Sequence, residues 1–281
     1  MSEINYIVDT DIALGTLNAD PDDGVAILNL LSKNIDIALV SLVSGNVKII
    51  DAYKNINFLL NSIVCDEKFH VFEGFSNDSS FQDNYFFWRE WQDQLDLSYK
   101  IQDKIIDVKN NIDLYFKKEN ILFGLGPLTN ISHFIEKNYI DKHNSKIFWM
   151  GGNNQGGDFF DEFNISFDID SFKNVLNSGI ELYIFPLNQT KRVEIEVKEL
   201  KYNLVKDEFI NDYKKLFESW NEILVGNEWA EKGITFHDSL PIFCYLNPDK
   251  VNYINYSRYK SVYVCNNYDL EAFKKFILNN L

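Results

Sequence analysis

The first residues that could do chemistry are aspartates near the start of the chain. Five of them fall within 15 residues: Asp9, Asp11, Asp20, Asp22 and Asp23. Asp20 or Asp22 alone could simply cap a helix, since free backbone N–H groups and the helix dipole favour negative charge there. Capping does not explain the whole set, because carboxylates brought together repel one another unless a cation or protons compensate them. Oxygen ligands suit Ca²⁺ or Mg²⁺, so we predict a metal site, although not an EF-hand, whose loop ends in Glu.

The elements that must position these aspartates follow from the hydrophobic pattern. Short apolar runs alternate with helical patterns along the chain. The runs are at residues 4–8, 37–43, 121–123, 147–150 and 182–185, and the helical patterns at 25–31, 49–63, 128–135 and 172–176. This alternation is typical of an α/β fold with a mostly parallel central sheet and helices on both faces. Ligands of such sheets bind beyond the carboxyl ends of the strands, where Asp9 and Asp11 are expected to lie.

Composition limits the domain organisation and the class of partner. The 281 residues include 27 Lys and Arg against 42 Asp and Glu, which gives a net charge of −15. This charge opposes binding to nucleic acid or to an anionic membrane surface. With five prolines and no Pro/Gly/Ser-rich boundary, we predict a single domain over residues 1–281. Three cysteines without a CxxC pair, and the lack of a signal-like start or a long apolar run, favour the cytoplasm.

Two segments rich in aromatic residues are candidate flaps over a site. They span residues 75–104, which include Trp88 and Trp91, and residues 209–230, which include Trp220 and Trp229. Aromatic side chains serve mostly in packing, so the alternative is that these residues belong to an ordinary hydrophobic core.

Further motifs follow the aspartates in a fixed order along the chain. The set is Asp9-Thr10-Asp11, Asp22-Asp23, Val43-Ser44-Gly45-Asn46, Gly126-Pro127-Leu128-Thr129-Asn130, Met150-Gly151-Gly152, Glu162-Phe163-Asn164 and His237-Asp238. With these motifs the sequence resembles the inosine-uridine preferring nucleoside hydrolases over nearly its whole length. The resemblance implies a nucleoside-hydrolase-like fold, a small-molecule nucleoside as substrate, and a homodimer or homotetramer.

The resemblance also implies roles for individual residues. Ca²⁺ would be held by Asp11, Asp23, the backbone carbonyl of Leu125 and Asp238, and it would hold a water molecule whose proton Asp11 accepts. The ribose would be bound on its 2′ and 3′ hydroxyl side by Asp22, Asn46 and Asp238. Its 5′ side would be held by Glu162 and Asn164, with Phe163 packed beside the sugar.

The leaving base is where the sequence departs from the family pattern. The His-Gly usually found after the third strand has no counterpart, because residues 75–97 contain no histidine. His237 is then the histidine with a catalytic role, beside Asp238. Purine-selective relatives activate the base by aromatic stacking, for which the candidates here are Trp88, Trp91, Trp220 and Trp229. We therefore favour purine nucleosides, and a role in purine salvage.

The loop of residues 12–21 is a second departure from the family pattern, because it is longer than usual in the family.

Other functions remain open from the sequence. A non-hydrolytic homologue could keep the metal site and bind a ribosylated ligand without turnover, and a modified nucleoside could be the substrate. A phosphatase of the haloacid dehalogenase type would use Asp9 as nucleophile and Asp11 as acid, with Gly157-Asp158 as its only candidate acidic pair. That hypothesis leaves the Gly-Pro-Leu-Thr-Asn and His-Asp motifs unexplained.

Overall fold

Strands and helices alternate along the chain in the computed structural model, which describes residues 4–75, 92–95, 104–108, 111–116, 119–153, 162–228, 230–256 and 258–281. The strands are β1 (Ile4–Thr10), β2 (Thr16–Leu17), β3 (Ile37–Leu42), β4 (Phe69–Glu73), β5 (Asp93–Gln94), β6 (Ile105–Asp107), β7 (Glu119–Gly124), β8 (Ser145–Met150), β9 (Glu181–Phe185), β10 (Glu194–Ile195), β11 (Ile234–Thr235), β12 (Val251–Asn255) and β13 (Val262–Tyr268). The α-helices are α1 (Asp22–Ser32), α2 (Ile49–Ser62), α3 (Thr129–Glu136), α4 (Phe163–Phe167), α5 (Ile169–Asn177), α6 (Leu187–Thr190), α7 (Ile210–Gly226), α8 (Ser239–Leu246) and α9 (Leu270–Asn279). Short 3₁₀ turns cover Ile112–Phe116, Val197–Glu199, Asp207–Phe209 and Pro248–Lys250.

A nine-stranded sheet organises the described residues. Its strand order is β12-β13-β9-β8-β7-β1-β3-β4-β6. All neighbours pair in parallel except β12, which runs antiparallel to β13 at one edge. In β1, Asp9 pairs with Ser41 of β3 on one side and with Gly124 of β7 on the other. The carboxyl end of the first strand is thus at the centre of the sheet, with the ends of β3 and β7 beside it.

Both faces of the sheet are covered, and the apolar residues of each strand are shared between two hydrophobic clusters. Ile7 and Leu122 belong to the cluster that includes helices α3 and α5, whereas Val8 and Phe123 belong to the cluster that includes α1, α2 and α8. Successive side chains of a strand point to opposite faces, so a strand buried on both sides is apolar at every position. The predicted α/β fold, a mostly parallel sheet in a single domain, is confirmed.

The long connection from β1 to α1 is packed inside the protein. Ile12, Ala13 and Leu14 are fully buried, and the two-residue strand β2 pairs antiparallel with β5. The backbone N–H of Asn18 donates to Ser219 of α7 at 3.1 Å. These contacts fix the point at which α1 begins.

No helix among the described residues is both long enough and hydrophobic enough to cross a membrane.

The sequence pattern did not predict the antiparallel pair of β12 and β13, which completes one side of the sheet.

Candidate active site

Three aspartates meet where two helices begin. Asp22 and Asp23 start α1, and Asp238 immediately precedes α8. One carboxylate oxygen from each of the three lies within 4.8 Å of the others, and all three side chains are buried. The backbone N–H of Asp238 donates to Asp22 Oδ2 at 3.2 Å. Motifs separated by more than two hundred residues in the sequence therefore form one acidic cluster.

The aspartates of this cluster disfavour one another's charge. Burial raises the pKa of Asp238 well above its usual value, and the charges of Asp22, Asp23, Asp11 and Asp20 raise it further. The pKa of Asp23 is raised by burial first and then by Asp11 and Asp22. The charges that raise the pKa of Asp238 most are thus those of other aspartates, so a cation bound here would relieve the repulsion.

The donor set fits a hard divalent cation such as Ca²⁺. Asp23 Oδ1 accepts a hydrogen bond from the Thr10 hydroxyl, while Asp23 Oδ2 has no hydrogen-bond donor among the residues described. A buried carboxylate oxygen without a donor is costly. Converging carboxylate oxygens, with backbone carbonyls nearby, are the ligands that Ca²⁺ prefers. The residues present are therefore suited to the metal that the sequence predicted.

Asp11, a predicted metal ligand, is not one of the three aspartates whose oxygens lie within 4.8 Å of one another, but its charge acts on Asp23 and Asp238, and backbone holds its carboxylate on two sides. It is fully buried, and its Oδ2 accepts a hydrogen bond from the backbone N–H of Asn46. A Cβ at Gly45 would lie 1.8 Å from Asp11 Oδ2, and one at Gly126 would lie 2.8 Å from Asp11 Oδ1. Glycine is required at both positions because the backbone itself contacts the carboxylate. The peptide that joins Leu125 to Gly126 consequently lies beside Asp11.

A cavity of about 610 Å³ opens above the aspartates. Most of the predicted site residues line it: Asp22, Asn46, Leu125, Glu162, Phe163, Asn164, Trp220, His237 and Asp238. Asp11 is not itself a lining residue, but it accepts a hydrogen bond from the backbone N–H of Asn46, which is one. A volume of this size is in the usual range for small-molecule sites.

The Glu-Phe-Asn motif forms one wall of the cavity by starting a helix. Glu162 is the N-cap of α4: its side chain accepts from the backbone N–H groups of Asn164 and Ile165. It also accepts from the N–H of Gly152 at 2.8 Å, which ties the Met-Gly-Gly motif to the Glu-Phe-Asn motif. Burial raises the pKa of Glu162, and these backbone bonds partly offset that effect.

His237 is fixed between two threonines. Its Nδ1 is 2.7 Å from the Thr190 hydroxyl, and its Nε2 is 2.7 Å from the Thr235 hydroxyl. Burial lowers the pKa of His237, the charge of Asp22 opposes that shift, and Lys191 adds to it. To donate a proton from Nε2 to a leaving base, His237 would have to break its hydrogen bond with the Thr235 hydroxyl and form one with the base.

Of the four candidate stacking tryptophans, Trp220 is the one that lies among the described residues. Trp220 and Leu224, one turn apart on α7, line the cavity, whereas Tyr213 and Phe217 of the same helix are fully buried in the core. This helix accounts for most of the predicted flap at 209–230. Trp88, Trp91 and Trp229, with much of the candidate flap at 75–104, lie outside the described residues.

Sequence reasoning missed several residues of the cavity wall, namely Leu187, Lys191, Glu194, Leu224 and Thr235. Leu187 and Lys191 follow the carboxyl end of β9, so the rule that ligands bind beyond strand ends could have identified them. Thr235 lies two residues before His237, and Leu224 lies one helical turn after Trp220. Which face of each element lines the cavity depends on tertiary packing, so the sequence alone did not identify these two residues.

Comparison with known proteins identifies the family. The sequence profile of the family described as inosine-uridine preferring nucleoside hydrolase matches residues 6–274. No curated protein matches the chain significantly.

Solved structures share the fold at low sequence identity. A purine-preferring ribonucleoside hydrolase from Gardnerella vaginalis is 17% identical with a TM-score of 0.73, covering 98% of this chain and 97% of that one. A plant nucleoside hydrolase, PpNRh1, is 17% identical with a TM-score of 0.74, covering 98% of both chains. An inosine-uridine preferring nucleoside hydrolase from Bacillus anthracis is 16% identical with a TM-score of 0.65, covering 99% of this chain and 98% of that one. Together with the profile match, the fold and the acidic cavity lead to one conclusion: the chain belongs to the inosine-uridine preferring nucleoside hydrolase family, whose members are hydrolases acting on N-glycosyl bonds.

Proposed function

We propose that this protein is a calcium-dependent ribonucleoside hydrolase that releases ribose and a free base, with a preference for purine nucleosides. One observation carries the proposal most directly. Asp22, Asp23 and Asp238 converge beneath a nucleoside-sized cavity, and Asp11 lies in the same electrostatic field. Buried carboxylates this close together are costly for a fold to maintain, and a metal-dependent reaction gives them a function.

Ribose binding follows from the polar groups of the wall. At the 2′ and 3′ hydroxyls, the carboxylates of Asp22 and Asp238 would accept hydrogen bonds, and the amide of Asn46 would donate or accept one. On the 5′ side, Glu162 and Asn164 would bind the hydroxyl while Phe163 packs beside the sugar. All six residues line the same cavity, which supports their action on one ligand.

Attack at the anomeric carbon needs a nucleophile, and water can supply it. The Asp11 carboxylate would accept the proton of the attacking water, with the Asn46 N–H holding Oδ2 in place. Ca²⁺ bound by Asp11, Asp23, Asp238 and the Leu125 carbonyl would supply the positive charge that balances the aspartates, making a neighbouring water more acidic. The proton then resides on Asp11 until solvent takes it.

The same aspartates would favour bond breaking. Cleavage of an N-glycosidic bond passes through a sugar with oxocarbenium character, which a pocket lined with carboxylates stabilises electrostatically. Asp22 and Asp238 lie at the surface of this pocket, so their charge would act on the sugar as positive charge develops there.

Departure of the base is proposed to depend on the apolar and aromatic wall. Trp220 is a stacking partner of suitable size for a purine, and His237 lies in the same wall as a candidate proton donor. Trp88 and Trp229 stay candidates for stacking from sequence alone. A cytoplasmic location and assembly into a dimer or tetramer likewise stay predictions.

A panel of purine and pyrimidine ribonucleosides, incubated with the protein and Ca²⁺, tests the proposal. We expect reducing sugar to appear with inosine or another purine nucleoside. If no nucleoside in the panel yields sugar while a ribosylated ligand binds, the non-hydrolytic alternative replaces this proposal.

A further inference from the structure

The side chain of Asn164 bonds to two backbone carbonyls at the end of the sheet. Its Nδ2 lies 3.2 Å from the Leu125 carbonyl oxygen and 3.1 Å from the Met150 carbonyl oxygen. Leu125 directly follows β7 and Met150 ends β8, and these two strands are neighbours. Asn164 thus joins two adjacent strands beyond the last bonds of their ladder.

The orientation of this amide is determined by its partners. Both partners are carbonyl oxygens, which only accept, so the NH₂ group and not Oδ1 must face them. An NH₂ group has two hydrogens, and this arrangement uses both. Oδ1 is the part left for other contacts, and Asn164 lines the cavity. One buried side chain therefore bonds to the backbone of two neighbouring strands through its nitrogen.

The peptide that carries the Leu125 carbonyl lies beside Asp11. The N–H of Leu125 donates to the Asp9 carbonyl at 2.8 Å, which fixes the peptide against β1. On its other side, the following residue Gly126 is in contact with Asp11. A bond from Asn164 to this carbonyl restrains the direction in which its oxygen points.

We propose that Asn164 is a positioning residue for the Leu125 carbonyl and thereby sets the affinity of the metal site as well as contacting ribose. This inference rests on the proposed function, because it takes Leu125 as a metal ligand. Partners that orient metal ligands affect metal affinity strongly when they are removed, by about tenfold or more. A residue that only bound ribose would have no effect on metal affinity measured without a nucleoside.

Asn46 provides a matched control. It is an asparagine of the same cavity wall with the same proposed class of role, ribose binding. Its contact with Asp11 uses the backbone N–H, which Asn46→Ala preserves. Removal of its side chain should therefore weaken nucleoside binding but leave the metal ligands in place.

The test is a calorimetric titration of metal-free protein with Ca²⁺ alone, for the wild type, Asn164→Ala, Asn164→Leu and Asn46→Ala. Asn164→Leu fills the space without donating, so it separates the loss of hydrogen bonds from a cavity effect. Circular dichroism and melting in chelator identify folded samples, and the Ca²⁺-dependent rise in Tm gives a second measure of affinity. We expect Kd for Ca²⁺ to rise about tenfold in both Asn164 variants and by less than about twofold in Asn46→Ala.

Two results would overturn the inference while leaving the proposed function intact. One is Ca²⁺ affinity close to wild type in the folded Asn164 variants, and the other is an equal loss in Asn46→Ala. Absence of Ca²⁺ binding by the wild type would instead refute the metal site itself, and this inference with it.

Discussion

Gly45→Ala is the substitution whose effect the structure predicts most directly. The added Cβ would lie 1.8 Å from Asp11 Oδ2 and 2.6 Å from Asp11 Cγ. To reach ordinary van der Waals contact at 3.4 Å, the carboxylate or the backbone must move by about 1.6 Å. A misplacement of about 1 Å at a reacting group can cost ~10²-fold in rate, so we expect kcat to fall by at least ~10²-fold.

Two other glycines provide matched controls for the same single-methyl change. Gly126→Ala would place its Cβ 2.8 Å from Asp11 Oδ1, a milder conflict, and should give an intermediate loss. Gly226→Ala, at the end of α7, meets nothing within 4 Å and should keep wild-type activity. The predicted order of activity is therefore Gly226→Ala, then Gly126→Ala, then Gly45→Ala.

The assay is steady-state release of reducing sugar from the best nucleoside, with Ca²⁺ present. Crowding a packed interior costs about 1–3 kcal/mol of stability, so each variant is assayed well below its own Tm. A folded Gly45→Ala with nearly wild-type kcat would refute the reasoning, because Asp11 would then not need the position that the structure gives it.

Three further predictions concern the base, the metal and the leaving group. Asp11→Asn should fold normally and lose ~10³-fold or more in kcat, since the amide cannot accept the water's proton; retention of most activity in the same assay would move the base elsewhere. Because burial and mutual repulsion raise the pKa values of Asp23 and Asp238, metal-free protein should lose stability as pH rises from the ordinary carboxylate range towards those raised values. Ca²⁺ should raise Tm most at the high end of this pH range. If neither chelator nor pH changes the melting curves, this prediction is wrong. Trp220→Ala and His237→Ala should reduce kcat for inosine more than for p-nitrophenyl riboside, whose phenolate leaves without protonation; equal losses on both substrates would exclude a role in activating the base.

The fold was largely predictable because its central strands are buried on both faces. Continuous apolar runs such as the one in β8 distinguish such strands from surface ones. The edge strand β12 and its neighbour β13 mix apolar with exposed polar residues, for example Asn252 and Asn266, and give no comparable signal. The two-residue pair β2 and β5 depends on contact between distant segments, which no local pattern encodes.

The site was predictable where its residues form compact motifs. Asp22-Asp23 and His237-Asp238 each place acidic side chains at the start of a helix. Because His237-Asp238 follows β11, which lies outside the nine-stranded sheet, their convergence depends on tertiary packing. The threonines that hold His237 were not predictable, because Thr190 reaches it from the end of α6. The second use of Asn164 was also hidden, since its partners are backbone carbonyls that any sequence would supply.

The central claim is that the buried aspartates form a calcium site that drives nucleoside hydrolysis. Its most direct test is one enzyme sample made metal-free with chelator, assayed on inosine, and assayed again after Ca²⁺ is restored. We expect ribose release to stop without metal and to return with Ca²⁺, while Asp11→Asn stays inactive in both conditions. Equal hydrolysis before and after chelation, in protein shown by elemental analysis to be free of metal, would contradict it.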